Sequence, residues 1–300
     1  MEREIYKIVI FMELGLMSAV LDLIRFKTTL KFVLTTISGL VLAYPNIDFL
    51  AIHLLLFTGF STAFAFAIND VSDVEVDRLV KKIRNPIVTE KITRSRSILL
   101  SFFFIVVALL ALSFLSFHNW LLGLAVIFIY CTYSFLVRAK AKPVLDVIYH
   151  SAGLSFFTLM GYVQYKPVDV NCLLLVSAVF LLSGMSEILQ EVRDYESDRK
   201  MIKTTAILLG KRRALILCLA LFIIVFTMFL LSPLYGVVPC ELLLLSPLAY
   251  FIVAPIVKAI HDETYLDKMI EKIHKRGPLI AGVLLVTFVL LKYFNLGFFA

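Results

Sequence analysis

Run length constrains this chain most. Uninterrupted apolar stretches of about 20 residues recur from one end to the other. That is the length of α-helix needed to cross the hydrocarbon core of a bilayer. Nine spans are predicted, at about 28–44, 49–68, 97–117, 119–137, 145–164, 170–191, 213–231, 241–260 and 278–296. The runs are continuous rather than alternating, which excludes the dyad pattern of a membrane barrel. Composition agrees: the chain is 61% hydrophobic and only 17% charged, where a soluble domain is about 25% charged. The expected fold is all-α: a polytopic membrane protein with nine transmembrane helices in one bundle, forming a single domain over residues 1–300.

The distribution of positive charge tests the span count. The N-terminal region to Lys31, the connections at 69–96, 138–144, 192–212 and 258–277, and Arg213 at the edge of the third of these hold 27 of the 29 Lys and Arg, and only Lys166 and Lys292 fall on the opposite side. Such a bias sets orientation. It predicts an integral membrane protein with the N-terminus and these loops in the cytoplasm and the C-terminus outside. The net charge of +7 is therefore topological, and no nucleic-acid partner is expected. No obligatory protein partner is evident either. Residues 1–27 mix charged and apolar side chains without a cleavage site and read as an interfacial helix. Cys131, Cys172, Cys218 and Cys240 form no paired motif, and the five His lack metal-ligand spacing.

Against this background the acidic residues stand out. Span 2 closes on Asn69-Asp70-Val71-Ser72-Asp73-Val74-Glu75-Val76-Asp77, and span 6 closes on a stretch from Glu187 to Lys200. The two lie four spans apart, which suggests an internal four-helix repeat. Asp70, Asp73 and Asp77 are spaced i, i+3, i+7, and Glu187, Glu191, Asp194 and Asp198 are spaced i, i+4, i+7, i+11, so each set forms one helical stripe. Stacked like charges repel, and ionisable groups at membrane depth are functional candidates by default. Divalent cations offer the natural compensation. Mg²⁺ in particular is held by a few carboxylates together with waters and substrate phosphates.

Basic residues supply the other half. Arg84 follows the first acidic cluster, Arg138, Lys140 and Lys142 form the 138–144 loop just after Tyr133, and Lys200 follows the second cluster. Carboxylates beside cations can bind a metal–diphosphate complex, with Lys and Arg pairing the remaining oxygens. This permits ionisation of an allylic diphosphate, in which charge gathers on the leaving group. The 26 Phe and 12 Tyr can line a dry pocket with ring faces toward the allylic cation.

The pattern Asn69-Asp70-x-x-Asp73-x-x-x-Asp77 resembles the first aspartate motif of the UbiA superfamily of intramembrane prenyltransferases, of archaeal or bacterial type. Arg84-Asn85-Pro86 is similar to that family's Arg-Pro element, with Asn85 inserted. Asp194-Tyr195-Glu196-Ser197-Asp198 resembles its second motif, the run from Ile202 to Gly210 resembles its continuation to a Thr and a Gly, and Tyr133-Ser134 with Arg138 and Lys142 resembles its Tyr/Lys element. Met201-Ile202 stand where the family usually has a Gly. The resemblance covers essentially the whole chain.

It implies a Mg²⁺-dependent prenyltransferase. Two Mg²⁺ are expected to bridge a prenyl diphosphate to Asn69, Asp70, Asp73 and Asp77 on one wall and to Asp194 and Asp198 on the other. Asp70, Asp73, Asp194, Asp198 and Tyr133 are the implied catalytic residues. Arg84, Arg138, Lys140, Lys142 and Lys200 are the implied diphosphate clamp. The implied acceptor is lipophilic or aromatic: a quinone precursor, geranylgeranylglyceryl phosphate or a carotenoid. Asp194-x-Glu196-x-Asp198-Arg199-Lys200 resembles archaeal ether-lipid synthases, whereas Arg84-Asn85-Pro86 and Thr204-Thr205-Ala206 lean toward the carotenoid or quinone branches.

Blander readings apply to some of these residues. Glu75, Glu90 and Glu196 lie off the stripes and read as a solvated flank. Lys81, Lys82 and Arg94 read as orientation charges, and His150 as a packing residue. The rival function is a membrane transporter or divalent-cation carrier using the acidic clusters, but such proteins place their acids near the mid-membrane. A phosphatidyltransferase is disfavoured because Asp73 is followed by Val74-Glu75, not by that class's glycine.

Overall fold

A computed structural model describes residues 15–44, 48–79, 84–199 and 202–294. Lys200, Lys81, Lys82 and most of the predicted interfacial helix at 1–27 lie outside the described residues. So do residues 45–47, 80–83, 200–201 and 295–300.

Among the described residues every regular element is helical. In order they are α1 (residues 15–23), α2 (Phe26–Ala43), α3 (Phe49–Ser72), α4 (Val74–Leu79), α5 (Arg94–Leu112), α6 (Phe117–Cys131), α7 (Leu145–Val163), α8 (Val170–Arg193), α9 (Tyr195–Asp198), α10 (Thr205–Leu209), α11 (Lys211–Leu231), α12 (Tyr250–His261) and α13 (Leu266–Phe294). A π-helical turn at Thr132–Leu136 extends α6, and a 3₁₀ stretch at Cys240–Ala249 leads into α12.

Among the described residues eight helices are long and apolar enough to cross a membrane. The fifth predicted span is present as α7, with 19 residues, but it is less apolar than the others. It carries Asp146, His150, Ser151, Ser155 and Thr158, and of these Asp146, Ser151, Ser155 and Thr158 are buried. The predicted connection at 258–277 is helical from Leu266 onward. Its Lys268, Lys272, Lys275 and Arg276 ride on the first turns of the last long helix, where good helix formers prevail up to Gly277-Pro278.

The chain forms two compact units: residues 1–37 with 47–138, and residues 38–46 with 139–300. In the first, α3 packs along α5, and Ala63, Phe64, Ala67, Val71 and Phe104 form the core nearest the functional residues. Gly123 lets α6 approach: a Cβ there would lie 2.5 Å from Leu112. In the second unit α8 packs against both α7 and α11. Met185, Ile188, Leu189, Val192, Leu215 and Cys218 fill that core. Gly39, at the end of α2, faces Thr158 so closely that a Cβ would lie 2.1 Å from its carbonyl oxygen.

α3 and α8 are built alike. Each has 24 residues and an Asp N-cap: Asp48 accepts from the Ala51 N–H and Asp169 from the Cys172 N–H. That Cys172 N–H bond, helped by the Tyr162 hydroxyl, holds the Asp169 carboxyl below the usual carboxylate range. Each helix also ends on an Asp C-cap, Asp73 or Asp194, and each is followed at once by a short helix.

Candidate active site

The sequence places Asp70, Asp73 and Asp77 on one helical stripe. The structure keeps them adjacent but bends the helix between them. α3 stops at Ser72, Asp73 caps it through its N–H to the Asn69 carbonyl, and Asp77 sits on α4. All three are buried: Asp70 is 0% exposed, Asp73 8% and Asp77 4%. Buried carboxylates need partners, and two side chains supply them for Asp70 and Asp77. Arg25 Nη2 donates to Asp70 Oδ1 at 2.5 Å. Asn85 Nδ2 donates to Asp77 Oδ2 and to the Asp70 carbonyl, both at 2.9 Å, while its Oδ1 accepts the Ile87 N–H at 3.0 Å. Asn85, which interrupts the expected Arg-Pro pair, is thus the bracket that ties the 84–92 turn to the first motif.

Arg25 escaped the sequence reading because at the edge of a span it looks like an orientation charge. Its backbone is left-handed (φ 47°), which turns the guanidinium back to lie 4.8 Å from the Phe66 ring centroid and onto Asp70. No local pattern announces a pairing across 45 residues.

Asn69 accepts from Ser134 Oγ at 3.3 Å. Ser134 and Tyr133 lie on the π-turn Thr132–Leu136, a distortion common at functional sites. Arg84 is exposed and close enough to Asp70 and Lys31 to act on both electrostatically. Arg138 is exposed at φ 52°.

The second unit holds Asp194, Asp198, Lys140 and Lys142. Of the four-acid stripe, only the outer two acids remain at the surface. Glu187 pairs with His150 Nδ1 at 3.2 Å. Glu191, 6% exposed, accepts the Ala206 N–H at 2.8 Å. Asp194 is half-buried and takes a two-pronged bond from Arg193 Nε and Nη2, both at 2.7 Å. Asp198 donates its N–H to the Asp194 carbonyl at 2.9 Å, so α9 fixes the two acids one turn apart. Lys140 lies on a 3₁₀ turn, Ala139–Ala141, and Lys142 is exposed. Lys200 lies outside the described residues. Glu75 pairs with Arg78 at the surface, and Glu196 with Lys211 and Arg199, as bystanders would.

The donor set fits Mg²⁺. It consists of oxygen ligands, which a hard cation prefers. Asp70 Oδ2 is buried and accepts no hydrogen bond among the described residues, which leaves one carboxylate oxygen of the first motif for a ligand. Among the described residues no group of three or more His, Cys, Asp or Glu gathers tightly enough to hold a metal alone.

A profile of the UbiA prenyltransferase family matches residues 32–270. Digeranylgeranylglyceryl phosphate synthase of Pyrococcus horikoshii is 27% identical over 187 residues, which is 59% of this chain and 64% of that protein. The chain thus spans somewhat less than two thirds of that relative. Among solved structures, a digeranylgeranylglyceryl phosphate synthase superposes with a TM-score of 0.72 at 18% identity, covering 91% of this chain and 99% of the other. A UbiA homolog from Archaeoglobus fulgidus bound to GPP and Mg²⁺ gives 0.67 at 24% identity, covering 89% and 97%. One from Aeropyrum pernix gives 0.69 at 18% identity, covering 87% and 98%. At these identities the superpositions speak for the fold.

Proposed function

The chain belongs to the UbiA prenyltransferase family, and from that premise we propose that it transfers a prenyl group from an allylic prenyl diphosphate to the glycerol hydroxyl of geranylgeranylglyceryl phosphate. Two Mg²⁺ and both aspartate motifs serve the donor. The observation that carries the reading is the doubled motif: two helices of equal length, each ending on an Asp cap with a second Asp four residues on. The choice of acceptor is supported by the Pyrococcus horikoshii relative, a digeranylgeranylglyceryl phosphate synthase.

Asn69, Asp70, Asp73 and Asp77 of the first motif and Asp194 and Asp198 of the second would hold the metal. When bound, Mg²⁺ neutralises the diphosphate and stabilises the charge gathering on it as it leaves. Arg84, Arg138, Lys140, Lys142 and Lys200 pair the remaining diphosphate oxygens. The C1–O bond breaks with its electron pair going to the diphosphate. The acceptor oxygen then bonds to C1 and gives up its proton. Tyr133, on the π-turn, presents its ring or hydroxyl to the reacting end. The motifs and the N-terminus lie in the cytoplasm, where the positive charges gather.

Purified protein, geranylgeranyl diphosphate and Mg²⁺ form the test, with geranylgeranylglyceryl phosphate, a hydroxybenzoate and a carotenoid offered as separate acceptors. Ether product from the first is expected, abolished by EDTA. Transfer only to another acceptor overturns the choice of acceptor. No diphosphate release with any acceptor overturns the reaction.

A further inference from the structure

The second unit contains a buried polar knot that the reaction outlined above does not use. Asp146, at the start of α7, is 1% exposed. Its Oδ2 accepts the Thr205 N–H at 2.8 Å, and its Oδ1 accepts the Thr205 hydroxyl at 2.5 Å. The Thr205 oxygen in turn accepts the Val144 N–H at 2.6 Å. On the other side of the knot, Glu191 receives the next amide, Ala206, at 2.8 Å. One short stretch, Thr205–Ala206, therefore ties the end of the 138–144 loop to α8.

The backbone explains why a tie is needed. Val144 has φ 71° and ψ −43°, and a β-branched residue at positive φ is an outlier that only surrounding contacts maintain. Its N–H bond to Thr205 is such a contact. Two residues before Val144 is Lys142, and seven residues before Thr205 is Asp198. The knot thus joins the two stretches that carry the cations and the second aspartate pair. A hydroxyl used as both donor and acceptor and a carboxylate with both oxygens engaged are a costly way to hold a turn unless its position matters.

We propose that Asp146 and Thr205 are positioning residues. Together they set Lys140 and Lys142 against Asp194 and Asp198, so that the two groups meet the donor diphosphate already in register. The proposal rests on the reading that these four residues handle the diphosphate.

The test uses the full chain and geranyl thiolodiphosphate, a donor that resists ionisation, with Mg²⁺. Thr205→Val keeps the shape and removes the hydroxyl; Thr205→Ser restores it. Thr205→Val is expected to weaken binding by about 10–100-fold, the range seen when the supports of metal ligands are removed. KM for the prenyl diphosphate rises more than kcat falls, melting temperature stays near that of the parent, and Thr205→Ser binds like the parent. Asp146→Asn, which keeps the volume and one acceptor, is the second variant should Thr205→Val fail to fold, and the same weakening is expected of it. Parent-like binding by the folded variant, or failure of Thr205→Ser to recover it, overturns the proposal. Lys142→Ala and Asp198→Asn separate the two levels. If both bind like the parent, the diphosphate reading of these residues fails and the positioning role falls with it. If both bind weakly while Thr205→Val does not, only the positioning role fails.

Discussion

The two motif helices share a plan and differ in setting. α3 and α8 have the same length, the same kind of N-cap and the same Asp at the C-cap. Yet the first motif is sealed and the second is open. Asp70, Asp73 and Asp77 are buried, with Arg25 fastened to Asp70 and Asn85 to Asp77. Asp194 is 44% exposed on its side chain, whose partner among the described residues is its neighbour Arg193. In the second half it is the deeper acids, Glu187 and Glu191, that take internal partners. A buried carboxylate is rigid and sensitive to the loss of a partner, whereas an exposed one adapts to what it binds. The side chains of the first motif are therefore fixed by the protein's interior, whereas Asp194 in the second keeps the freedom of a partly exposed side chain.

The sharpest break of this comparison is at the acids themselves. Asp73→Asn and Asp198→Asn should each lower Mg²⁺-dependent diphosphate release by about 100-fold or more, as expected when a group stabilising the departing charge is lost. Comparable losses in both place the two halves in one reaction. Full activity in both would sink the assignment, and sparing of one would make the halves unequal partners.

Next comes stability, where the halves should diverge. Arg25→Gln leaves Asp70 buried and uncompensated, which costs about 3–5 kcal/mol, seen as a lower unfolding midpoint in detergent. Asn85→Ala removes a donor from Asp77 and from the Asp70 carbonyl and should cost about 1–3 kcal/mol. The corresponding change in the open half, Arg193→Ala, breaks a surface pair and should stay within about 1 kcal/mol. If Arg193→Ala proved as damaging as Arg25→Gln, the contrast between sealed and open motifs would be wrong.

The sequence made some of this plain and hid the rest. Helices were legible because twenty apolar residues in a row leave few other options, and the Asp spacings were legible because both sit at span ends on the charged side. The stripes were only half right. The first set is interrupted at Asp73 and the second at Asp194, where each long helix ends, and a spacing rule assumes a straight helix. Glu187 and Glu191 looked equal to Asp194 and Asp198, because spacing does not say which acids a neighbouring helix will engage. Arg25 with Asp70, and Asp146 with Thr205, join positions 45 and 59 residues apart. Such pairs become visible only when the chain is folded. The polar character of α7 was in plain view, but a threshold on apolar run length discards it.

That polar helix has a consequence for how the chain is made. Asp146, Ser151, Ser155 and Thr158 weaken the signal by which a nascent segment leaves the translocation machinery for lipid. α8 follows after only a few residues, is strongly apolar, and packs against α7. Gly184 lets it come within 3.0 Å of the Ser151 hydroxyl, measured from the position a Cβ would take. During biogenesis α7 and α8 should therefore commit together as a hairpin. A nascent chain ended before Val170 should fail to anchor the segment that a chain reaching Arg193 retains.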